Sequence, residues 1–162
     1  MDINRSTCCS FTGHRPEKLT LSEWKIKPLL SAEIKRAVND GYDTFITGMA
    51  RGVDIWAAES VLKLKETLGG IKLICAIPHP GFEKRRPYRE AMLYKNIIDE
   101  ADEAVLVSHH FFTGCYQIRN EWMVDRSSRV IAVYSGLPSG TKNTVIYAEE
   151  LGIDVINVLG QK

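Results

Sequence analysis

Gly140 and Thr141 are the residues whose type and position speak most directly of chemistry. The β-branched and aromatic run Val130-Ile-Ala-Val-Tyr-Ser stops at a Gly/Pro/Ser turn, and Gly140-Thr141 then opens an amphipathic stretch that ends at Gly152. This is the text of a buried strand handing its loop to a helix start. Backbone N–H groups in a first helical turn lack intrahelical acceptors and lie at the positive end of the dipole, so an anion is held there. Two more strand exits of this kind lie upstream, Thr12-Gly13-His14-Arg15-Pro16 and Thr47-Gly48-Met-Ala-Arg51-Gly52-Val-Asp54. Three small-residue exits in one alternating chain point to a pocket for a phosphate-bearing ligand.

In the first exit, Gly13 permits a tight turn and a close backbone approach, while Thr12 and Arg15 offer hydroxyl and guanidinium donors. The bland alternative is a plain turn with a surface Arg. His14 can act as a general base or simply hydrogen-bond within its loop. In the second exit, Gly48 and Gly52 flank Ala50 and describe a turn that tolerates nothing bulky. Asp54 falls where it can cap the following helix or receive ribose hydroxyls, two compatible uses. Further on, Arg119 and Asn120 sit in a helical pattern with Tyr116, which shares the Arg119 face. That pairing can present a forked donor and a ring to a nucleotide, or be only the polar side of a helix.

Several other chemistries are disfavoured. Gly136-Leu-Pro-Ser-Gly140-Thr141-Lys142 is one spacer short of a P-loop and inverts its final pair, and no strand is followed by Gly-x-Gly-x-x-Gly. Phe82-Glu-Lys84-Arg85-Arg86-Pro-Tyr88-Arg89 is the one basic, aromatic-flanked cluster. It reads as a solvated loop over the pocket rim, with a nucleic-acid patch as the alternative. His109-His110 diverge on an extended segment and lack carboxylate company, so no metal is expected. Cys8, Cys9 and Cys75 lie in strand text and read as small buried hydrophobes, with Cys8 and Cys9 on opposite faces. Cys115 stands near a helix start, where a thiolate is stabilised, but no Cys-x-x-Cys framework exists. No cofactor is expected beyond a nucleotide-like ligand.

Elements must hold these loops together. Continuously apolar runs over 6–12, 43–47, 71–77, 103–108, 129–134 and 153–158 read as strands covered on both faces. Helical patterns lie between them: one with Pro28 in its first turn and Gly41 as its stop, one from Val53 to Leu68, one after Pro87, and others over 116–127 and 142–151. The alternation predicts a single α/β domain over 1–162. It is expected as an open, mostly parallel sheet of about six or seven strands with helices on both faces. Such sheets bind ligands beyond the carboxyl ends of the strands where strand order reverses. All three glycine-containing loops leave carboxyl ends.

The chain has 162 residues, enough for one domain that buries roughly 70% of its unfolded surface. A hydrophobic fraction of 44% beside a charged fraction of 25% is that of a soluble globular protein. A net charge of +1 supplies no strong global field to draw in nucleic acid or anionic membrane. The short polar lead-in Met1-Asp-Ile-Asn-Arg5 and the lack of an apolar run of spanning length predict a cytoplasmic protein without membrane contact.

Thr12-Gly-His-Arg-Pro, Gly48-Met-Ala-Arg-Gly-Val-Asp, Arg119-Asn-x-x-Met-Val-Asp-Arg-Ser and the Gly-Thr-Lys-Asn-Thr segment, in this order, resemble the YpsA-type members of the SLOG superfamily. The resemblance runs from about residue 6 to residue 158 and implies a Rossmann-like sheet with a nucleotide-related ligand at these loops; the leading expectation is a sensor or regulatory protein that binds a nucleotide or nucleotide derivative. The superfamily also contains the DNA-processing protein DprA and the LOG phosphoribohydrolases. By similarity to LOG enzymes, Arg119 matches the catalytic Arg and Ser139-Gly140-Thr141 matches a shortened Gly-Gly-x-Gly-Thr ending. The position of the LOG catalytic Glu is Thr144 here, which puts nucleoside monophosphate hydrolysis in doubt unless Glu149 or Glu150 substitutes. A hydroxyl cannot stabilise a developing oxocarbenium charge as a carboxylate does. By similarity to DprA, Thr47 to Asp54 match a Ser-Gly-x-Ala-Arg-Gly-x-Asp stretch, implying single-stranded DNA binding and a homodimer as a further alternative.

Overall fold

The computed structural model describes residues 2–160. Six strands alternate with five helices: β1 Cys8–Gly13, α1 Glu23–Asn39, β2 Thr44–Thr47, α2 Val53–Thr67, β3 Lys72–Ile77, α3 Tyr88–Glu100, β4 Glu103–Leu106, α4 Cys115–Asp125, β5 Arg129–Val133, α5 Gly140–Glu150 and β6 Asp154–Asn157. All pairings are parallel, in the order β4-β3-β2-β1-β5-β6. From β1 the chain steps outward through β2, β3 and β4, then crosses back by way of α4 to place β5 on the other flank of β1. Strand order therefore reverses between β1 and β5, and the loops leaving these strands diverge to open a crevice. Gly13 pairs with Val133 at the last rung, and the His14 N–H carries the pairing on by donating to the Val133 carbonyl at 3.1 Å.

The period-two geometry of β1 divides the core. Cys9 and Phe11 join Phe45, Leu73, Ile131 and the apolar faces of α1, α2 and α3. Cys8 points the other way, with Ile46, Ile74 and Met123 of α4, and beyond it Val130 packs on Val124 and on Ala148 of α5. The central strands are buried on both faces, as their unbroken apolar text requires.

Two expectations need correction. The runs 103–108 and 153–158 are not covered on both faces: β4 and β6 are the two edge strands, β4 ends at Leu106 with alternating burial, β6 is at most half-buried, and Ala104 lines an open groove beside α3. Pro28 lies in the body of α1 rather than its first turn, because the helix starts at Glu23 with the Ser22 carbonyl accepting from Lys25 and Ile26. Ile26, Leu30 and Ile34 continue one buried stripe through the proline. The N–H that Pro28 lacks would have met the carbonyl of Trp24, whose side chain is solvent-exposed. No helix among the described residues is long and apolar enough to cross a membrane.

Candidate functional site

The exits of β1, β2 and β5, with the first turns of α4, close around a cavity of about 340 Å³ at the reversal of strand order. Thr12, Gly13, His14 and Arg15 line it from β1, Asp54 from α2, Arg119 and Asn120 from α4, and Gly140 and Thr141 from α5. The sequence spreads these residues over most of the chain; parallel pairing puts them on one edge.

At the start of α5, the Ser139 hydroxyl accepts from the Lys142 N–H at 3.2 Å, and the Ser139 carbonyl accepts from Asn143 at 3.1 Å. This capping leaves the N–H groups of Gly140 and Thr141 without a protein acceptor among the described residues, the condition for anion capture. His14 faces the same cap, its Nδ1 3.2 Å from the Ser139 hydroxyl, with its ring tilted on Tyr134. It is 1% exposed and its Nε2 has no partner among the described residues. Burial, aided by the charge of Lys18, pushes its pKa below the usual histidine value and favours the neutral ring.

The β2–α2 turn is held from outside. Arg119 donates from Nη1 to the Gly48 carbonyl and from Nε to Asn120 Oδ1 at 2.8 Å. Arg86 donates to the next carbonyl, that of Met49, at 2.7 Å. Met49 stands at φ 61°, a left-handed conformation costly for a non-glycine residue, and these two clamps bracket it. Asp54 does not cap its own helix. Gly52, at φ 91°, occupies that position, and Asp54 Oδ2 turns back to accept from the Ala50 N–H at 3.2 Å. Burial raises the Asp54 pKa against the opposing pull of Arg119, and burial lowers that of Arg119 against the pull of Asp54. Gly48 separates the two. A Cβ there would lie 2.9 Å from both Arg119 Cζ and Asp54 Oδ2, so Gly48 supports the site without lining the cavity.

Arg51 and Gly52 stay outside the inner cavity. Arg51 is half-exposed and pairs with Glu90 at 3.2 Å and Glu17 at 3.7 Å. Gly52 sits where a Cβ would meet Pro16 Cδ at 2.8 Å. Gly13 is likewise a packing glycine, because a Cβ would fall 2.5 Å from the Val53 side chain. Thr144 is buried and donates its hydroxyl to the Gly140 carbonyl at 2.8 Å, away from any reacting group. Glu149 and Glu150 lie at the far end of α5, about 15 Å along the axis. Neither of these two carboxylates therefore stands where the LOG-type acid would.

Sequence reading misses a second chamber of about 670 Å³ that shares Arg15, Ala50, Phe82 and Tyr116 with the first. His79, from the exit of β3, anchors it: the rings of Phe82, Phe111 and Tyr116 surround its imidazole at 5.1–5.7 Å. The signal was Pro78-His79-Pro80-Gly81, a fourth strand exit rich in turn residues. The basic cluster also divides here. Arg86 turns inward between Phe82 and Tyr94, at 4.9 and 4.7 Å, whereas Lys84 and Arg85 stay exposed on the rim. Among the described residues no group of His, Cys, Asp and Glu is arranged to hold a metal ion.

A family model described as the YspA SLOG family matches residues 9–151. An uncharacterised prophage-derived protein, YoqJ, of Bacillus subtilis is 34% identical over 139 residues, covering 78% of this chain and 81% of the relative. A UPF0398 protein of Staphylococcus epidermidis is 27% identical over 131 residues, covering 76% and 70%. Among solved structures, DprA of Streptococcus pneumoniae superposes with a TM-score of 0.60 at 18% identity, over 90% of this chain and 48% of that one. DprA of Helicobacter pylori, described for its single-stranded DNA binding mode, gives 0.60 at 17% identity, over 91% and 63%. These two likenesses concern the fold, and the chain spans about half of the first DprA and under two thirds of the second. The match of the family model over most of the chain, with its ordered loops on one sheet edge, assigns the chain to the YspA SLOG family.

Proposed function

We propose that the protein binds a nucleotide or nucleotide derivative, with a phosphate at the start of α5 and the sugar toward Asp54 and Asn120. The observation that carries this reading is that Gly140 and Thr141, whose N–H groups have no acceptor among the described residues, line the same cavity as His14 and Arg119. Backbone donors, a helix dipole and a buried guanidinium all favour negative charge there. Arg119 contributes field more than fork, since Nε and one Nη1 hydrogen serve Asn120 and Gly48. Hydrolysis of the glycosidic bond gains no support, because the Thr144 hydroxyl is spent inside α5 and the carboxylate that does line the cavity, Asp54, is held on the Ala50 N–H beside Arg119.

Calorimetric titration with AMP, ADP and ADP-ribose tests the reading through Gly140→Pro. Proline is accommodated at the first helical position and removes one donor while keeping the helix. Wild type is expected to bind and Gly140→Pro to bind about tenfold more weakly, the worth of one charge-assisted hydrogen bond. Equal affinity of the two proteins would remove the phosphate from the α5 start. A second reading, binding of single-stranded DNA as described for the Helicobacter pylori DprA, is favoured by the basic rim and the rings of the outer chamber.

A further inference from the structure

The two chambers are contiguous. Phe82 and Tyr116 wall both, and Arg15 and Ala50 lie at the junction. The inner cavity alone sits at the small end of ligand pockets, about 300–1,000 Å³, and a phosphate with its sugar suffices to fill it. The outer chamber is larger and different in kind. Phe111 is 61% exposed and Tyr116 40% exposed, both within a concave wall, and His79 holds Tyr116 by a 3.3 Å contact from Nε2 to the hydroxyl. Large rings left open to water inside a cavity, and fixed by edge contacts to a common imidazole, form a stacking platform for a flat ligand group. The same chamber is lined by Lys84 and Arg85, neither of which makes an ion pair among the described residues, although Arg51, also in its lining, is held by Glu90 and Glu17. The cleft thus holds an anion cradle in its inner chamber, and an aromatic platform and unpaired cations in its outer one.

We infer that the outer chamber is a base subsite, and that the ligand is a nucleoside flanked by two phosphates: one at α5, its base against Tyr116 and Phe111, the other at Lys84 and Arg85. This rests on the phosphate reading of the inner cavity and extends it to a ligand class. The same chemistry occurs in a free nucleotide with two separated phosphates and in one step of single-stranded nucleic acid.

Four probes separate the possibilities: ribose 5-phosphate, AMP, adenosine 3′,5′-bisphosphate and a twelve-nucleotide single strand. They are titrated into wild type, the double variant Phe111→Ala/Tyr116→Ala and the double variant Lys84→Gln/Arg85→Gln. Wild type is expected to bind AMP at least tenfold more tightly than ribose 5-phosphate, and the bisphosphate more tightly still. Loss of the two rings weakens AMP at least tenfold more than it weakens ribose 5-phosphate, which meets only Tyr116 of the two. Loss of the two rim cations removes only the bisphosphate's advantage. A single strand that outcompetes the bisphosphate identifies the source as nucleic acid; equal or better binding of the bisphosphate identifies a free nucleotide. Unchanged AMP affinity in the ring variant overturns the inference while the phosphate site stands. Failure of all four probes to bind wild type at millimolar concentration removes the phosphate site and the inference together. Circular dichroism of both variants shows that they fold, as the exposure of all four side chains leads one to expect.

Discussion

At the scale of single residues, glycines that look alike in the sequence serve opposite ends. Gly48 keeps Arg119 and Asp54 apart, and both neighbours are pinned, Arg119 by the Gly48 carbonyl and Asn120, Asp54 by Ala50. Gly48→Ala is expected to cost about 1–3 kcal/mol, since neither neighbour can retreat, and a drop in the urea midpoint at constant slope would register it. Around Gly140 an added Cβ meets nothing within 4 Å, so Gly140→Ala leaves stability unchanged or raises it by about 0.5 kcal/mol. His14 gives a pH dependence whose sign can be worked out. Burial depresses its pKa in the folded chain, so just below an unfolded value of about 6.5 the unfolded state binds more protons. Stability then rises with pH through that window, is fully present above it, and is lost as pH falls through the folded pKa. His14→Gln is expected to flatten the difference in unfolding free energy between pH 5.5 and 7.5; an unaltered difference would show that His14 is not its source.

At the scale of elements, the alternation of apolar runs with helical stripes was legible because doubly covered parallel strands have nothing but apolar text. Every strand and helix read from the pattern is present, and Gly41 and Gly152 mark helix ends at positive φ. Burial on an edge strand was not legible: Glu103 to Leu106 carries the composition of a central strand, and only the strand order puts it outside. Pro28 misled because its first-turn preference is local, whereas the Ile26-Leu30-Ile34 stripe is fixed by packing on the sheet. The candidate site was legible where a motif lay on a strand exit, as at Thr12 to Arg15 and at Gly140 and Thr141. It was not where the partners belong to different loops, as with the clamp of Arg86 on Met49. Within the basic loop 82–89, charge alone does not separate cations that hold the fold from those that face solvent. Arg86→Gln is expected to destabilise by about 1–3 kcal/mol, through loss of its hydrogen bond to a buried turn and its packing between two rings. Lys84→Gln and Arg85→Gln each stay within about 0.5 kcal/mol. Thermal or chemical melts of the three variants side by side check this ranking.

At the scale of the whole molecule, a net charge of +1 leaves no long-range field to gather an anionic ligand, so attraction must come from cations grouped at the cleft. Those lining its two chambers without an ion pair among the described residues are Arg15, Lys18, Lys84 and Arg85, whereas Arg119 and Arg86 are committed to the β2–α2 turn. The reversal of strand order collects them: β1 delivers Arg15 and Lys18, the exit of β3 delivers Lys84 and Arg85, and the parallel register brings both loops to one edge. This sets a bound on any binding of single-stranded nucleic acid. Counterion release contributes a log–log salt slope of about −0.7 for each phosphate neutralised on a single strand, so these residues together support a slope no steeper than about −3. The slope is expected to reach that bound with a strand long enough to cross the cleft and to stay there as the strand is lengthened. Fluorescence anisotropy with labelled single strands of four, eight and sixteen nucleotides, between 50 and 200 mM salt, measures it. A slope that steepens with length would mean that the backbone tracks over surface beyond the cleft, and confinement of the ligand to the strand-reversal edge would then be wrong.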